Sequence, residues 1–106
     1  MRSQTDIQRE EAIKAILKAQ LVKAAPMLRG HKVFLFGSRV TGTAKPHSDF
    51  DVGVYGETPL PVRDFFMIED MFDALPTLFK IDWVDFNRAS SKFRERAMKK
   101  IEILYE

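Results

Sequence analysis

The stretch FLFGSRVTGTAKPHSDFDVGVYG, residues 34–56, constrains the fold of this chain more than any other segment. A short apolar run, Lys32 to Phe36, ends at Gly37-Ser38, and a polar loop leads to a second run that opens with Asp49-Phe50-Asp51. Short β-rich runs bounded by glycine and polar loops predict buried strands. The chain is therefore expected to fold two core strands, Lys32 to Phe36 and Phe50 to Tyr55, around a turn and a pair of carboxylates.

Helical spacing of apolar residues predicts the elements that cover this sheet. A first helix is expected from about Thr5 to Ala25, with Thr5 and Gln8 as a capping box. A short helix is expected at residues 38–41, with Ser38 as its N-cap. A longer helix is expected between Pro61 and Pro76.

The segment FKIDWVDF, residues 79–86, predicts a third core strand, and Phe93, Ala97, Ile101 and Leu104 predict a last helix. The predicted order is αβ(α)βαβα, an α+β fold of the layered α/β type with a short sheet and helices packed on it. A length of 106 residues suits one domain, so residues 1–106 are expected to form a single unit.

Composition excludes several classes of protein. The chain contains no cysteine, which excludes disulfides and thiolate metal sites and fits a reducing compartment. The charged amino terminus lacks the apolar region of a secretory signal, and no apolar run approaches the roughly 20 residues that span a membrane. A net charge of +2 is too small to favour nucleic-acid binding by bulk electrostatics. We therefore expect a soluble, cytoplasmic protein.

The carboxylates of the second strand predict a metal site. Asp49 and Asp51 are two residues apart, so their side chains share one face while Phe50 points to the other. Neighbouring carboxylates repel each other and lose solvation, and a divalent cation offsets both costs. Hard oxygen ligands without a thiolate indicate Mg²⁺ or Mn²⁺. Asp82, in the third strand, would complete a cluster able to hold two ions about 3.5–4 Å apart.

The turn before the loop predicts an anion site. Gly37 allows backbone N–H groups to approach a ligand closely, and Ser38 at the start of a helix adds N–H groups and a hydroxyl. Arg39 is either a phosphate ligand or a structural ion-pair partner, and Ser48 either contacts the ligand or caps the turn before Asp49. A nucleoside triphosphate with Mg²⁺ satisfies the turn and the carboxylates together.

Simpler roles remain open for the same residues. Asp49 and Asp51 would then be turn or capping residues, and Asp82 a salt-bridged strand residue. His47 is expected in solvent. The basic face of the last helix is either solvated or meets an acidic partner or RNA, and it consists of Lys92, Arg94, Arg96, Lys99 and Lys100.

The spacing of the motif resembles that of a known superfamily. Residues 37–51 match the GS-x10-DxD signature of the nucleotidyltransferases related to DNA polymerase beta, in the usual GSR-x-x-G…SDxD form, and Asp82 matches their later strand aspartate. Over nearly its whole length the chain is similar to the minimal nucleotidyltransferases, or MNT proteins.

This resemblance implies the nucleotidyltransferase fold with a mixed sheet, and it implies roles for the motif residues. Asp49, Asp51 and Asp82 are then catalytic Mg²⁺ ligands, with Asp82 also activating the acceptor hydroxyl. The triphosphate of ATP is held at the glycine-serine turn. The resemblance gives the nucleotide-binding residues as Gly37, Ser38, Arg39 and Ser48.

The resemblance also implies a partner. Minimal nucleotidyltransferases are typically the antitoxins of HEPN-domain toxins, and some transfer AMP from ATP to a tyrosine of the toxin. A chain of this length leaves little room for an acceptor-binding domain, so we expect either that the acceptor brings its own surface or that a second subunit supplies part of the site. Two alternatives stay open: neutralisation by complex formation without transfer, and transfer to a small molecule or an RNA end. The sequence leaves open the base preference, the number of nucleotides added and the oligomeric state.

Overall fold

A four-stranded mixed sheet organises residues 3–106, the part of the chain that the computed structural model describes. Its strands are β1 (His31–Phe36), β2 (Phe50–Gly56), β3 (Ile81–Asp85) and β4 (Glu102–Tyr105). The strand order is β3-β2-β1-β4. Strand β1 is antiparallel to β2 and to β4, whereas β2 and β3 are parallel. The predicted α+β class with a mixed sheet is confirmed, and β4 is an addition to the three predicted strands.

The helices are α1 (Gln4–Lys23), α2 (Ser38–Thr41), α3 (Val62–Asp73) and α4 (Ser91–Ala97), with a 3-10 turn at Ala25–Met27. None of the helices within residues 3–106 combines the length and apolar character of a membrane span.

The predicted cap of α1 is wrong by about half a turn. The capping box is formed by Ser3 and Asp6: the Ser3 hydroxyl accepts from the Asp6 N–H at 3.1 Å, and the Asp6 carboxylate accepts from the Ser3 N–H at 3.4 Å. Ser3, Thr5 and Asp6 are all cap-forming residue types, so the residue types alone do not decide at which of these positions the helix begins.

Alternation along β1 divides the core into two faces. Val33 and Leu35 point into the larger cluster, which α1 and α3 cover with residues such as Leu17 and Ile68. The opposite face of the sheet carries a second apolar cluster formed by the buried rings of Phe34, Phe36 and Phe86, with Ala97 and Met98 packed against it. The sheet therefore has a thick face under α1 and α3 and a thinner face under α4.

The last predicted element is wrong beyond Ala97. The helix ends there, and residues 102–105 form β4, which pairs with β1 at the edge of the sheet. Leu104 is 7% exposed and packs in the larger cluster, while Ile103 on the other side of the strand is 38% exposed. Ile101 and Leu104 therefore have helical spacing in the sequence but belong to a strand and the turn before it.

A buried ionic contact fixes β4 to α1. The Lys14 ammonium, 9% exposed, lies 3.0 Å from the Glu102 carboxylate and 3.2 Å from that of Glu11. Burial lowers the pKa of Lys14, but its hydrogen bonds and charge interactions with Glu102 and Glu11 outweigh burial and raise the pKa above 10.5. The carboxylate that opens β4 is thus held by a residue 88 positions away.

Candidate active site

Three neighbouring strands bring a row of side chains together on the α4 face of the sheet. Phe36 on β1 pairs in register with Asp51 on β2, and Asp51 pairs with Asp82 on β3. Directly opposed residues have Cβ atoms roughly 5 Å apart, so the two carboxylates are immediate neighbours. The sequence prediction that Asp51 and Asp82 meet from separate strands is in agreement with this register.

The alternation of β2 and β3 explains why these carboxylates face α4. Phe50 and Val52 are buried in the larger cluster, which turns Asp51 to the opposite side. On β3, Trp83 is 6% exposed and packs in the same cluster, as expected, and Asp82 is exposed on the other side. Strand β3 is an edge strand, so Asp82 lies at the open border of the sheet.

The charge on Asp51 is not compensated within this row. Burial, followed by the negative charges of Asp82 and Asp49, raises the pKa of Asp51 from 3.8 to about 6. Asp51 is partly buried, whereas Asp49, just before β2, and Asp82 are exposed. The negative charges of Asp49 and Asp82 thus both act on the carboxylate of Asp51, at the boundary between the sheet and solvent.

The glycine at the end of β1 makes the close approach to Asp51 possible. Gly37 has φ 76° and ψ −151°, a conformation that favours glycine, and it is the N-cap of α2. A Cβ atom at this position would collide with the carboxylate of Asp51. The expectation that Ser38 caps the short helix is wrong, because Ser38 is the first helical residue and its carbonyl accepts from the Gly42 N–H at 3.1 Å.

Arg39 has a structural environment. Its guanidinium lies 3.2 Å from Glu10 of α1, donates to the Ser48 carbonyl at 2.6 Å and stands 4.3 Å from the centre of the Phe50 ring. The side chain is only 3% exposed. Of the two roles that the sequence left open, the structure supports the ion-pair role, so we do not retain Arg39 as a nucleotide ligand. It ties α1, α2 and the loop before Asp49 to one another.

Ser48 also has a structural contact. Its hydroxyl accepts from the Lys45 N–H at 2.9 Å, and its carbonyl accepts from Arg39. These bonds close the loop that leads into Asp49, so the structure supports the turn-capping role for Ser48. His47, in the same loop, is exposed as expected.

Asp85 is a second carboxylate of β3, three residues after Asp82. It pairs with Val54 and its carboxylate lies 3.0 Å from the Arg88 guanidinium. A separation of three residues along a strand turns Asp85 to the opposite face from Asp82. Asp85 is therefore engaged away from the row.

The donor set of the row fits a hard divalent cation. Asp49, Asp51 and Asp82 supply oxygen ligands, and burial, together with the negative charges of Asp82 and Asp49, raises the pKa of Asp51. Within residues 3–106 no group of three or more histidine, cysteine, aspartate or glutamate side chains is arranged so that it could hold a metal ion. Magnesium usually takes only one or two protein carboxylates and fills its remaining positions with water and phosphate, which is compatible with this arrangement.

A cavity lies at the opposite end of the sheet from the carboxylate row. About 600 Å³ of space opens around His31, Gly56 and Tyr105, at the ends of β1 and β2 opposite to Phe36 and Asp51. We do not assign this cavity as the active site, because the three carboxylates lie at the other end of the strands.

Comparison with known proteins adds a family and a fold. Residues 11–106 match the family model described as "Polymerase beta, Nucleotidyltransferase". The Haemophilus influenzae protein named "Probable protein adenylyltransferase MntA" is 33% identical over 104 residues, which cover 98% of this chain and 87% of that protein.

Two solved structures share the fold. A chain of a toxin–antitoxin structure with AMP-PNP superposes with a TM-score of 0.61 and 22% identity, covering 83% of this chain and 72% of that one. A chain of the complex between a tri-AMPylated Shewanella oneidensis HEPN toxin and an MNT antitoxin superposes with a TM-score of 0.59 and 19% identity, covering 87% and 71%. At these identities the likeness concerns the fold.

Proposed function

This chain belongs to the polymerase beta nucleotidyltransferase family, and from that membership we propose that it is a Mg²⁺-dependent protein adenylyltransferase. The proposed reaction moves AMP from ATP to a tyrosine hydroxyl of a HEPN-domain toxin, so that the chain acts as the antitoxin of the pair. ATP and a newly made partner are both present in the cytoplasm, which is the proposed compartment.

One structural observation carries the proposal. Asp51 is paired in register with Asp82, beside a glycine turn that leaves no room for a side chain between the turn and the carboxylate. Relatives support the choice of reaction. The Haemophilus influenzae protein is named an adenylyltransferase, and the Shewanella oneidensis structure holds an AMPylated HEPN toxin with its MNT antitoxin.

The proposed chemistry assigns each group a task. Asp49, Asp51 and Asp82 would hold magnesium, which when bound stabilises negative charge on the phosphoryl and leaving oxygens. The N–H groups and hydroxyl at Gly37 and Ser38 bind the triphosphate. The acceptor oxygen attacks the α-phosphorus, the bond to the β-phosphate oxygen breaks, and pyrophosphate leaves with that electron pair.

The proton of the acceptor hydroxyl also needs a destination. Asp82 is exposed at the edge of the sheet, where an incoming hydroxyl has access, and we assign it as the general base. Asp51 is less accessible than Asp82, so it is suited to binding the cation rather than to meeting the acceptor. Among the three carboxylates, Asp51 is thus partly buried, and Asp49 and Asp82 are exposed on either side of it.

Intact-mass spectrometry of the partner tests this proposal. A HEPN-domain protein from an adjacent reading frame of the source genome is incubated with ATP, Mg²⁺ and the purified chain, and we expect its mass to rise by one or more AMP units. The matched control is the Asp82→Asn variant, for which we expect no gain. A partner whose mass stays constant with the wild-type chain would contradict the proposed reaction.

A second candidate function is neutralisation by complex formation alone. The observation that favours it is an exposed apolar strip on α3, where Val62, Phe66 and Met67 are 54%, 53% and 44% exposed. Exposed apolar side chains grouped on one helix are typical of contact surfaces. Toxin neutralisation in cells by an Asp49→Ala, Asp51→Ala variant distinguishes the two functions: undiminished protection supports complex formation, and lost protection supports transfer.

A further inference from the structure

An open groove adjoins the carboxylate row on the α4 side of the sheet. We call it the α4 groove; its floor is formed by Phe36, Phe93 and Ala97, and its inner end by Gly37 and Thr41. The cavity volume is about 310 Å³, at the lower end of the range of about 300–1,000 Å³ for ligand pockets. Of the residues that line it, the steps assigned above use only Gly37.

The rim of the α4 groove is cationic. Arg96 on α4 and Lys99 and Lys100 in the turn that follows line the groove, and all three are exposed. Within residues 3–106 none of the three forms an ion pair with a carboxylate. Three cations within five residues repel one another, so an anion placed among them gains attraction from each.

The segment that carries the glycine-serine turn does not supply this charge itself. Arg39 is the only cationic residue among residues 37–42, and its guanidinium is directed to Glu10 and the Ser48 carbonyl. Any side-chain cation that contacts a polyphosphate at the turn therefore comes from outside residues 37–42. The rim of the α4 groove is the element that reaches Gly37 and Thr41.

The register of the sheet connects the α4 groove to the reacting centre. Phe36, part of the floor, is the cross-strand partner of Asp51 on a strand that lies roughly 4.8 Å away, so the groove adjoins the strand that carries this carboxylate. A phosphate chain whose α-phosphorus lies at the carboxylates can thus continue past Gly37 into the groove.

We propose that the α4 groove binds the β- and γ-phosphates of the nucleotide, with Arg96, Lys99 and Lys100 as their charge partners. This inference rests on the proposed function and adds the direction in which the triphosphate lies. When the bond between the α-phosphorus and the bridging oxygen breaks, the electron pair stays with pyrophosphate, and the cationic rim holds that product. The acceptor then approaches from the side of Asp82, opposite to the groove across β2.

Isothermal titration calorimetry with three ligands tests the inference. Pyrophosphate, ATP and AMP are titrated, with Mg²⁺ present, into the wild-type chain and into the Arg96→Gln, Lys99→Gln, Lys100→Gln variant. Three screened charge contacts correspond to a loss of about 10-fold or more in affinity for pyrophosphate and ATP. We expect the affinity for AMP to change by less than about 2-fold, because AMP has no β- or γ-phosphate to lose those contacts.

Two control variants separate the groove from net charge and from folding. Lys18→Gln, Lys23→Gln, Lys92→Gln removes the same charge from exposed positions outside the groove and should bind as the wild type does. Arg96→Lys, Lys99→Arg, Lys100→Arg keeps the charge and should retain the affinity for pyrophosphate. Circular dichroism verifies folding, and Lys99→Gln alone, which removes one exposed charge, should give a smaller loss of the same kind.

Each remaining outcome overturns the inference. An equal loss in the Lys18, Lys23, Lys92 variant would assign the effect to net charge, and an equal loss of AMP affinity would place the base or ribose in the groove. Unchanged pyrophosphate affinity in the groove variant, with AMP transfer by the wild type, would refute the groove assignment and leave the proposed function standing. A wild-type chain that binds neither ATP nor pyrophosphate would contradict both.

Discussion

Neutralising Asp51 should stabilise the fold while removing the proposed activity. Burial and the charges of Asp82 and Asp49 raise the pKa of Asp51 from 3.8 to about 6, so the folded protein holds this carboxylate in its ionised form at a cost. A pKa difference of about 2 corresponds to roughly 3 kcal/mol. Because Asp51 is only partly buried, solvent screening reduces this to about 1–2 kcal/mol. We therefore expect Asp51→Asn to increase the free energy of unfolding by that amount at pH 7.5 without metal.

The dependence on pH follows from the same pKa. Because the pKa of Asp51 is higher in the folded than in the unfolded state, proton binding at Asp51 stabilises the fold. This contribution is complete below the unfolded-state pKa of about 4, and it is lost as the pH rises through the folded-state pKa of about 6. The difference in unfolding free energy between Asp51→Asn and wild type should thus grow from near zero at pH 4 to about 1–2 kcal/mol at pH 7.5.

Denaturant unfolding followed by circular dichroism at pH 4, 5, 6 and 7.5 measures this difference. The matched control is Asp70→Asn, which removes a carboxylate from an exposed position of α3, outside the row. Added Mg²⁺ should stabilise the wild type at pH 7.5 and have much less effect on Asp51→Asn. The reasoning is refuted if Asp51→Asn is no more stable than wild type at pH 7.5, or if its advantage is the same at pH 4.

Substitutions at three further positions, with one control, test the row and its surroundings. Arg39→Met should lower the free energy of unfolding by about 2–4 kcal/mol, because it removes an ion-pair partner of the buried Glu10. Calorimetry measures this loss. The affinity for ATP, measured at a temperature where the variant is folded, should change by less than about 2-fold. Gly37→Ala should abolish AMP transfer and lower the free energy of unfolding by more than about 1 kcal/mol, since its Cβ would collide with the carboxylate of Asp51. Gly42 also has a positive φ, 84°, but open space around it. Gly42→Ala should therefore lower the free energy of unfolding by only about 1 kcal/mol and keep transfer in the mass assay. Asp82→Asn should lower the transfer rate by about 10²-fold or more with little change in ATP affinity, and equal losses in rate and affinity would contradict its role as the base.

The pairing at the centre of the site was accessible from sequence for a simple reason. Side chains alternate along a strand, so Asp51 opposite buried Phe50 and Asp82 opposite buried Trp83 each have a defined side. The motif spacing then indicates that the two strands are neighbours. The register that places these carboxylates directly opposite each other depends on α3 and the loops around it, and only the structure gives it.

The errors share a different cause. Strand β4 is four residues long, begins with Glu102 and has apolar residues compatible with helical spacing, so its identity depends on pairing with β1. The direction of the Arg39 side chain depends on Glu10, 29 residues earlier on another helix. Long-range contacts of this kind leave no local pattern. The α4 groove is a similar case, because its floor combines Phe36 with side chains from an element more than 50 residues later.

The central claim is that Asp49, Asp51 and Asp82 jointly hold the metal at which the nucleotide reacts. Anomalous diffraction from crystals grown with Mn²⁺ and a non-hydrolysable ATP analogue tests it most directly, because manganese scatters anomalously and accepts the same oxygen ligands as magnesium. We predict manganese peaks contacting the carboxylates of Asp49, Asp51 and Asp82, with the β- and γ-phosphates extending past Gly37. Manganese bound by phosphate alone, with Asp82 turned to solvent, would contradict it.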